Sequence, residues 1–184
     1  MIALPSNLPL LLVGRYELTA YEAGWVEESI KDAAREAGHE EWWFACDITR
    51  SLMLYLRNKY AGTAITLEEM NRRIRQILGK IGFQDIGDRV NLAPPLLQVS
   101  LHDLAVEAEG FELRFFQLLD ERLTELMGLG ARRIALSHAK KGVKTLNSAR
   151  HWGPKCDALE QDILHFLRGK LLSQPDCSVE LKSN

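Results

Sequence analysis

The stretch Thr66-Leu-Glu-Glu-Met-Asn-Arg-Arg-Ile-Arg-Gln-Ile-Leu-Gly-Lys-Ile-Gly82 reads as a capped amphipathic helix. Thr66 followed three residues later by Glu69 is a capping box, in which each side chain satisfies an unpaired backbone N–H at the helix start. Gly82 supplies the stop. Leu67, Met70, Ile74, Ile77, Leu78 and Ile81 recur on one face, with Glu68, Arg72, Arg73, Arg75 and Lys80 largely off it. Such a stripe must pack on something, so this helix is expected to organise its neighbours.

Upstream, residues 10–13 and 15–21 read as two short extended segments around Gly14, with Tyr16 and Leu18 alternating against Glu17 and Thr19. From Trp25 the period lengthens: Val26, Ile30, Ala33, Ala34 and Ala37 predict a helix up to Gly38. A second, longer helix is expected over 40–60, with Trp43, Ile48, Leu52, Tyr55 and Leu56 inward. After Gly82 a short helix carries Phe83, Ile86 and Val90, and Pro94-Pro95 then breaks the chain.

Beyond the prolines the pattern predicts a strand at 96–99, helices over 101–108 and 111–127, a brief strand at 132–137, and a helix over 139–150. Gly142 weakens that last helix by roughly 1 kcal/mol relative to alanine. A final helix follows Pro154, its buried face formed by Leu159, Ile163, Phe166, Leu167 and Leu171. The expected class is mainly α (α+β): a hairpin with a small helical bundle over residues 1–91, then a helical region over 96–172 with one or two short strands. Residues 173–184 read as a flexible tail.

Composition narrows function by exclusion. With 46% hydrophobic residues, 26% charged residues and a net charge of −2, global charge points to no partner class. The N-terminal run lacks a basic segment and is broken by Pro5 and Pro9, which argues against a signal peptide. No stretch approaches the roughly 20 apolar residues of a membrane helix. Cys46, Cys156 and Cys177 are odd in number and without CxxC spacing, which predicts reduced thiols in a cytoplasmic protein.

The order of hairpin, helix, longer helix, capped basic helix and short helix over residues 10–91 resembles the ATP-cone, a nucleotide-binding regulatory domain of ribonucleotide reductases and of a repressor of their genes. The stretches that resemble its motifs are Leu11-Leu-Val-Gly14, Tyr21-Glu-Ala-Gly-Trp-Val26 and Ile65-Thr-Leu-Glu-Glu-Met-Asn-Arg-Arg-Ile74. The resemblance implies ATP or another nucleotide as ligand, held by Arg15, Arg72, Arg73 and Arg75. Trp25 stands where the family has a lysine, and the hairpin keeps only Arg15 as a cation.

Charge segregation marks a second candidate. From Ala131 to Lys155 the basic residues are Arg132, Arg133, Lys140, Lys141, Lys144, Arg150 and Lys155, with no acid among them. The preceding stretch 101–125 has seven acids against Arg114 and Arg122. One reading is an anion site for nucleic acid or nucleotide phosphates at Arg132, Arg133, Lys140, Lys141 and Lys144. The other is mutual neutralisation of acidic and basic helices.

Remaining signals are sparse. His151 with Cys156, and His102 with Asp103 and Glu107, lack the ligand number and spacing of a zinc site. Ser137-His138 has no Gly-x-Ser-x-Gly elbow around it, and Gly128-Leu-Gly130 ends a helix where a dinucleotide fingerprint would follow a strand. No catalytic constellation assembles, so a binding or regulatory role is expected. Trp42-Trp43-Phe44 is either partly core or an anchor for a protein partner.

Overall fold

The computed structural model describes residues 8–19, 21, 23–40, 42–172, 174 and 177–182. Much of the N-terminal run, parts of the tail, and Glu22 of the ATP-cone-like stretch lie outside these residues. The described chain is mainly helical, with eight helices and six short strands, and it divides into two compact units between Pro94 and Pro95. No helix among the described residues is long and apolar enough to cross a membrane.

In the first unit, β1 (Leu10–Val13) and β2 (Tyr16–Leu18) form an antiparallel hairpin turned at Gly14, whose φ of 58° suits a residue without a Cβ. Helices α1 (Gly24–Glu36) and α2 (Ala45–Asn58) follow. A third strand, β3 (Ala64–Thr66), pairs parallel with β1, Leu11 opposite Ile65. Residues 40–44, expected as helix, precede α2 as turns and irregular chain among those described.

Helix α3 (Leu67–Lys80) leaves β3 directly, and Thr66 caps it: its Oγ1 accepts from the Glu69 N–H at 3.2 Å. The reciprocal half of the box is replaced. The Glu69 carboxylate instead pairs with Arg72 and, at 2.7 Å, with Arg73. At the other end Gly82, at φ 88°, allows the Phe83 N–H to reach the Leu78 carbonyl at 2.9 Å, and α4 (Gln84–Arg89) begins. Leu67, Met70, Ile74 and Leu78 are buried as the stripe predicts, whereas Ile81 is 49% exposed because the chain has already turned away at the cap.

The second unit is built on a parallel sheet of β4 (Leu97–Ser100), β5 (Arg133–Ser137) and β6 (Ser178–Leu181), in that spatial order. Each crossover holds two helices, first α5 (Leu101–Glu107) and α6 (Glu112–Gly128), then α7 (Ala139–Leu146) and α8 (Pro154–Leu172). The central strand β5 is buried from Ile134 to Ser137, the continuous apolar run typical of a strand paired on both edges. Two expectations are corrected here. The unit has three strands among its described residues, and 178–181 of the expected flexible tail is paired sheet, because Val179 opposite Ile134 and Leu181 opposite Leu136 complete the β5 ladder.

Candidate functional site: the basic hollow along α3

The polar side of α3 borders a hollow of about 960 Å³, lined by Glu68, Asn71, Arg72, Arg75, Gln76 and Gly79, with Lys80, Gln84 and Asn91 completing it. The spacing explains this set. At about 100° per residue, positions 68, 71, 72, 75, 76 and 79 fall on one side of a helix, roughly opposite the buried stripe. Gln84 at the start of α4 and Asn91 beyond its end are brought alongside by the return of the chain.

Two hydrogen bonds hold that return. Arg75 Nη2 donates to the Val90 carbonyl at 2.9 Å, and the Leu92 N–H donates to Asn71 Oδ1 at 2.8 Å. Three cations, Arg72, Arg75 and Lys80, thus share the hollow with one carboxylate, Glu68, among amide side chains. Such a wall favours an anion, and each guanidinium retains donors beyond its present contacts.

The four arginines expected to act together are divided. Arg72 and Arg75 line the same hollow, but Arg73 turns to the flank of α3 that faces α2. There its guanidinium lies 4.8 Å from the Tyr55 ring centroid and 5.5 Å from that of Tyr60, in pairing with Glu69. Its role is packing, since a planar cation laid against two neighbouring phenol rings covers apolar surface while keeping its charge paired. Arg15 follows the hairpin glycine and lies 5.8 Å from the Tyr16 ring centroid; it does not line the α3 hollow. Trp25 is half-buried, and its indole N–H has no hydrogen-bond acceptor among the described residues.

The ATP-cone resemblance named Arg72 and Arg75, and the lining adds Lys80, Asn71, Gln76, Gln84 and Asn91, which it did not name. For the first three the signal was present, as they occupy the polar side of the same helix. Gln84 and Asn91 carried none, because only the turn at Gly82 and the staple to Val90 and Leu92 bring them there.

In the second unit the basic segment is also split. Arg133 opens β5 and lies 3.5 Å from Glu180 on β6, while the Arg132 carbonyl accepts from the Ser178 N–H at 2.9 Å. The strand then runs ~13 Å before α7 begins. Lys140, Lys141 and Lys144 span about 100° of one α7 face, the first two exposed and the third half-buried. No ion pair among the described residues engages these three lysines.

Ser137 is 3% exposed, and its hydroxyl donates to the Val99 carbonyl at 3.4 Å. Gly128-Leu-Gly130 is a helix stop: Gly130 has φ 82° and the Ala131 N–H returns to the Leu126 carbonyl at 3.1 Å. His102 Nδ1 faces Thr145 Oγ1 at 3.2 Å, and Cys156 is buried. The chain matches no known family model, and it shows no match to a characterised protein or to a solved structure.

Proposed function

We propose that the first unit is an ATP-cone-like module that binds a nucleotide in the α3 hollow, and that the chain is a non-catalytic regulatory or binding protein of the cytoplasm. The observation that carries this reading is the hollow itself. Its volume of about 960 Å³ lies within the ~300–1,000 Å³ range of small-molecule sites, and its lining cations outnumber its acids three to one. Phosphate oxygens meet Arg72, Arg75 and Lys80, and Gln76, Gln84 and Asn91 offer amides to the sugar and base. The order hairpin, two helices, strand, two helices supports the ATP-cone resemblance, and the three free thiols support a reducing compartment.

The test is thermal unfolding with ATP, with and without magnesium. A ligand at about one hundred times its Kd stabilises the folded state by ~2.7 kcal/mol, a shift of several degrees. Combined Arg72→Gln and Lys80→Gln changes are expected to remove the shift and leave the unliganded melting temperature near its original value. No shift at millimolar ATP in either condition eliminates this reading.

The unpaired lysines on α7 favour a second reading, a polyanion surface on the second unit. It predicts that binding of an oligonucleotide weakens steeply with salt, and that neutralising Lys140, Lys141 and Lys144 together flattens the salt dependence by about three charges.

A further inference from the structure

Two strips lie side by side on the second unit, and their chemistries are complementary. The first is the corner between α5 and α6. Glu109 and Gly110 both adopt positive φ, 52° and 78°, and the sharp turn leaves Phe111 and Leu113 68% and 77% exposed. Val106, in the last turn of α5, is also exposed. Glu107, Glu109 and Glu112 are interspersed with these apolar residues, and the corner 106–113 holds no cation. The second strip is the α7 row of Lys140, Lys141 and Lys144.

The strips border one another along the seam between α5 and α7. His102 Nδ1 lies 3.2 Å from Thr145 Oγ1 across it, and a Cβ on Gly110 would stand 3.9 Å from the Thr145 carbonyl oxygen. Val106 follows His102 by four residues and Lys141 precedes Thr145 by four, so each stands on the row of its own helix that runs beside the seam. Charge is not neutralised across this boundary. Among the described residues no ion pair engages Glu109, Glu112 or the three lysines, and Glu107 has only a long contact to Arg122, at 3.9 Å.

We infer that this face binds a second copy of the chain, forming a twofold dimer in which the acidic, apolar corner of each protomer meets the α7 lysines of its partner. A basic strip beside an acidic one becomes complementary to itself on rotation by 180° about an axis between them, the arrangement a closed dimer requires. The lysine stems then cover Phe111 and Leu113 while their ammonium groups reach the glutamates. A nucleic-acid strand fits the whole face less well, because the three glutamates repel its phosphates and the apolar side chains stay in water. Three exposed apolar side chains per protomer correspond to a small interface, below ~1,200 Å² in total, so the dimer is expected to be weak, with a Kd of about 10–100 µM.

The experiment is analytical ultracentrifugation of the full chain up to about 500 µM, in about 0.05 M and about 0.5 M salt. A monomer–dimer equilibrium is expected, roughly tenfold weaker at the higher salt. Lys140→Glu with Lys141→Glu, and separately Glu109→Lys with Glu112→Lys, are each expected to weaken the dimer at least about tenfold. Mixing the two variants should restore it, because both corner-to-α7 contacts then pair opposite charges. Leu113→Ser should weaken the dimer about tenfold at either salt concentration. The unmodified chain is measured first, and a monomer at about 500 µM in low salt overturns the inference even where a variant loses its fold. Association that is indifferent to salt and retained by every variant overturns it as well. A monomer that binds an oligonucleotide through the α7 lysines assigns that row to nucleic acid instead. None of these outcomes depends on whether ATP shifts the melting temperature.

Discussion

Gly142 sits mid-helix in α7, where glycine is normally a cost, and the packing explains its presence. A Cβ there would stand 2.8 Å from the Leu101 carbonyl carbon and oxygen and 3.1 Å from the His102 nitrogen. These are backbone atoms at the start of α5, so the neighbour has no flexible end to swing aside. Gly142→Ala gains ~1 kcal/mol of helix propensity and meets an overpacking penalty of about 1–3 kcal/mol. The expected net result is a lower melting temperature, whereas a rise would show that α5 and α7 separate easily.

Tyr21 makes a comparable single-residue prediction in the first unit. Its hydroxyl donates to the Pro9 carbonyl at 3.0 Å, and burial, with a smaller contribution from Tyr60, pushes its phenol up to about 12. The folded state therefore keeps a proton that the unfolded chain loses from about pH 10. Its stabilisation is complete below pH 10 and is lost as pH rises from 10 to 12. Tyr21→Phe should reduce stability at neutral pH by ~1 kcal/mol and flatten that alkaline decline in a denaturant titration.

Among the elements, α3 connects sequence to site most directly. Its cap bond is real, but Glu69 has left the reciprocal position to hold two arginines, so the two halves of the box separate in a mutational test. Thr66→Ala is expected to cost ~1 kcal/mol in chemical denaturation. Glu69→Gln should cost less, because its pairs are i,i+3 and i,i+4 contacts on a helix surface, while freeing Arg72 for a ligand in the hollow. If Glu69→Gln proves the more costly of the two, the carboxylate holds the helix start more firmly than the cap.

At the scale of the whole molecule, the C-terminal segment is structural. Strand β6 covers one edge of β5 and half-buries Val179 and Leu181. Ending the chain after residue 174 is expected to destabilise the second unit by about 1–3 kcal/mol, from lost apolar burial and an opened ladder edge. A solvated tail would leave the unfolding curve unchanged.

Local order was legible where short-range rules act. The stripe Leu67, Met70, Ile74 and Leu78, the Thr66 cap and the Gly82 stop each depend on residues within four positions of one another, and they identified α3 with its polar side. The break at Pro94-Pro95 was equally local. Strands β3 and β6 were not legible, because three or four residues make a strand only through a distant partner, β1 for one and β5 for the other. The same holds for function: the arginines at 72, 73 and 75 are adjacent in sequence, yet helical rotation sends Arg73 to the tyrosines and leaves Arg72 and Arg75 to the hollow. What closes that hollow, Gln84 and Asn91, is placed by the return of the chain past α4, a long-range contact for which spacing along the sequence carries no signal.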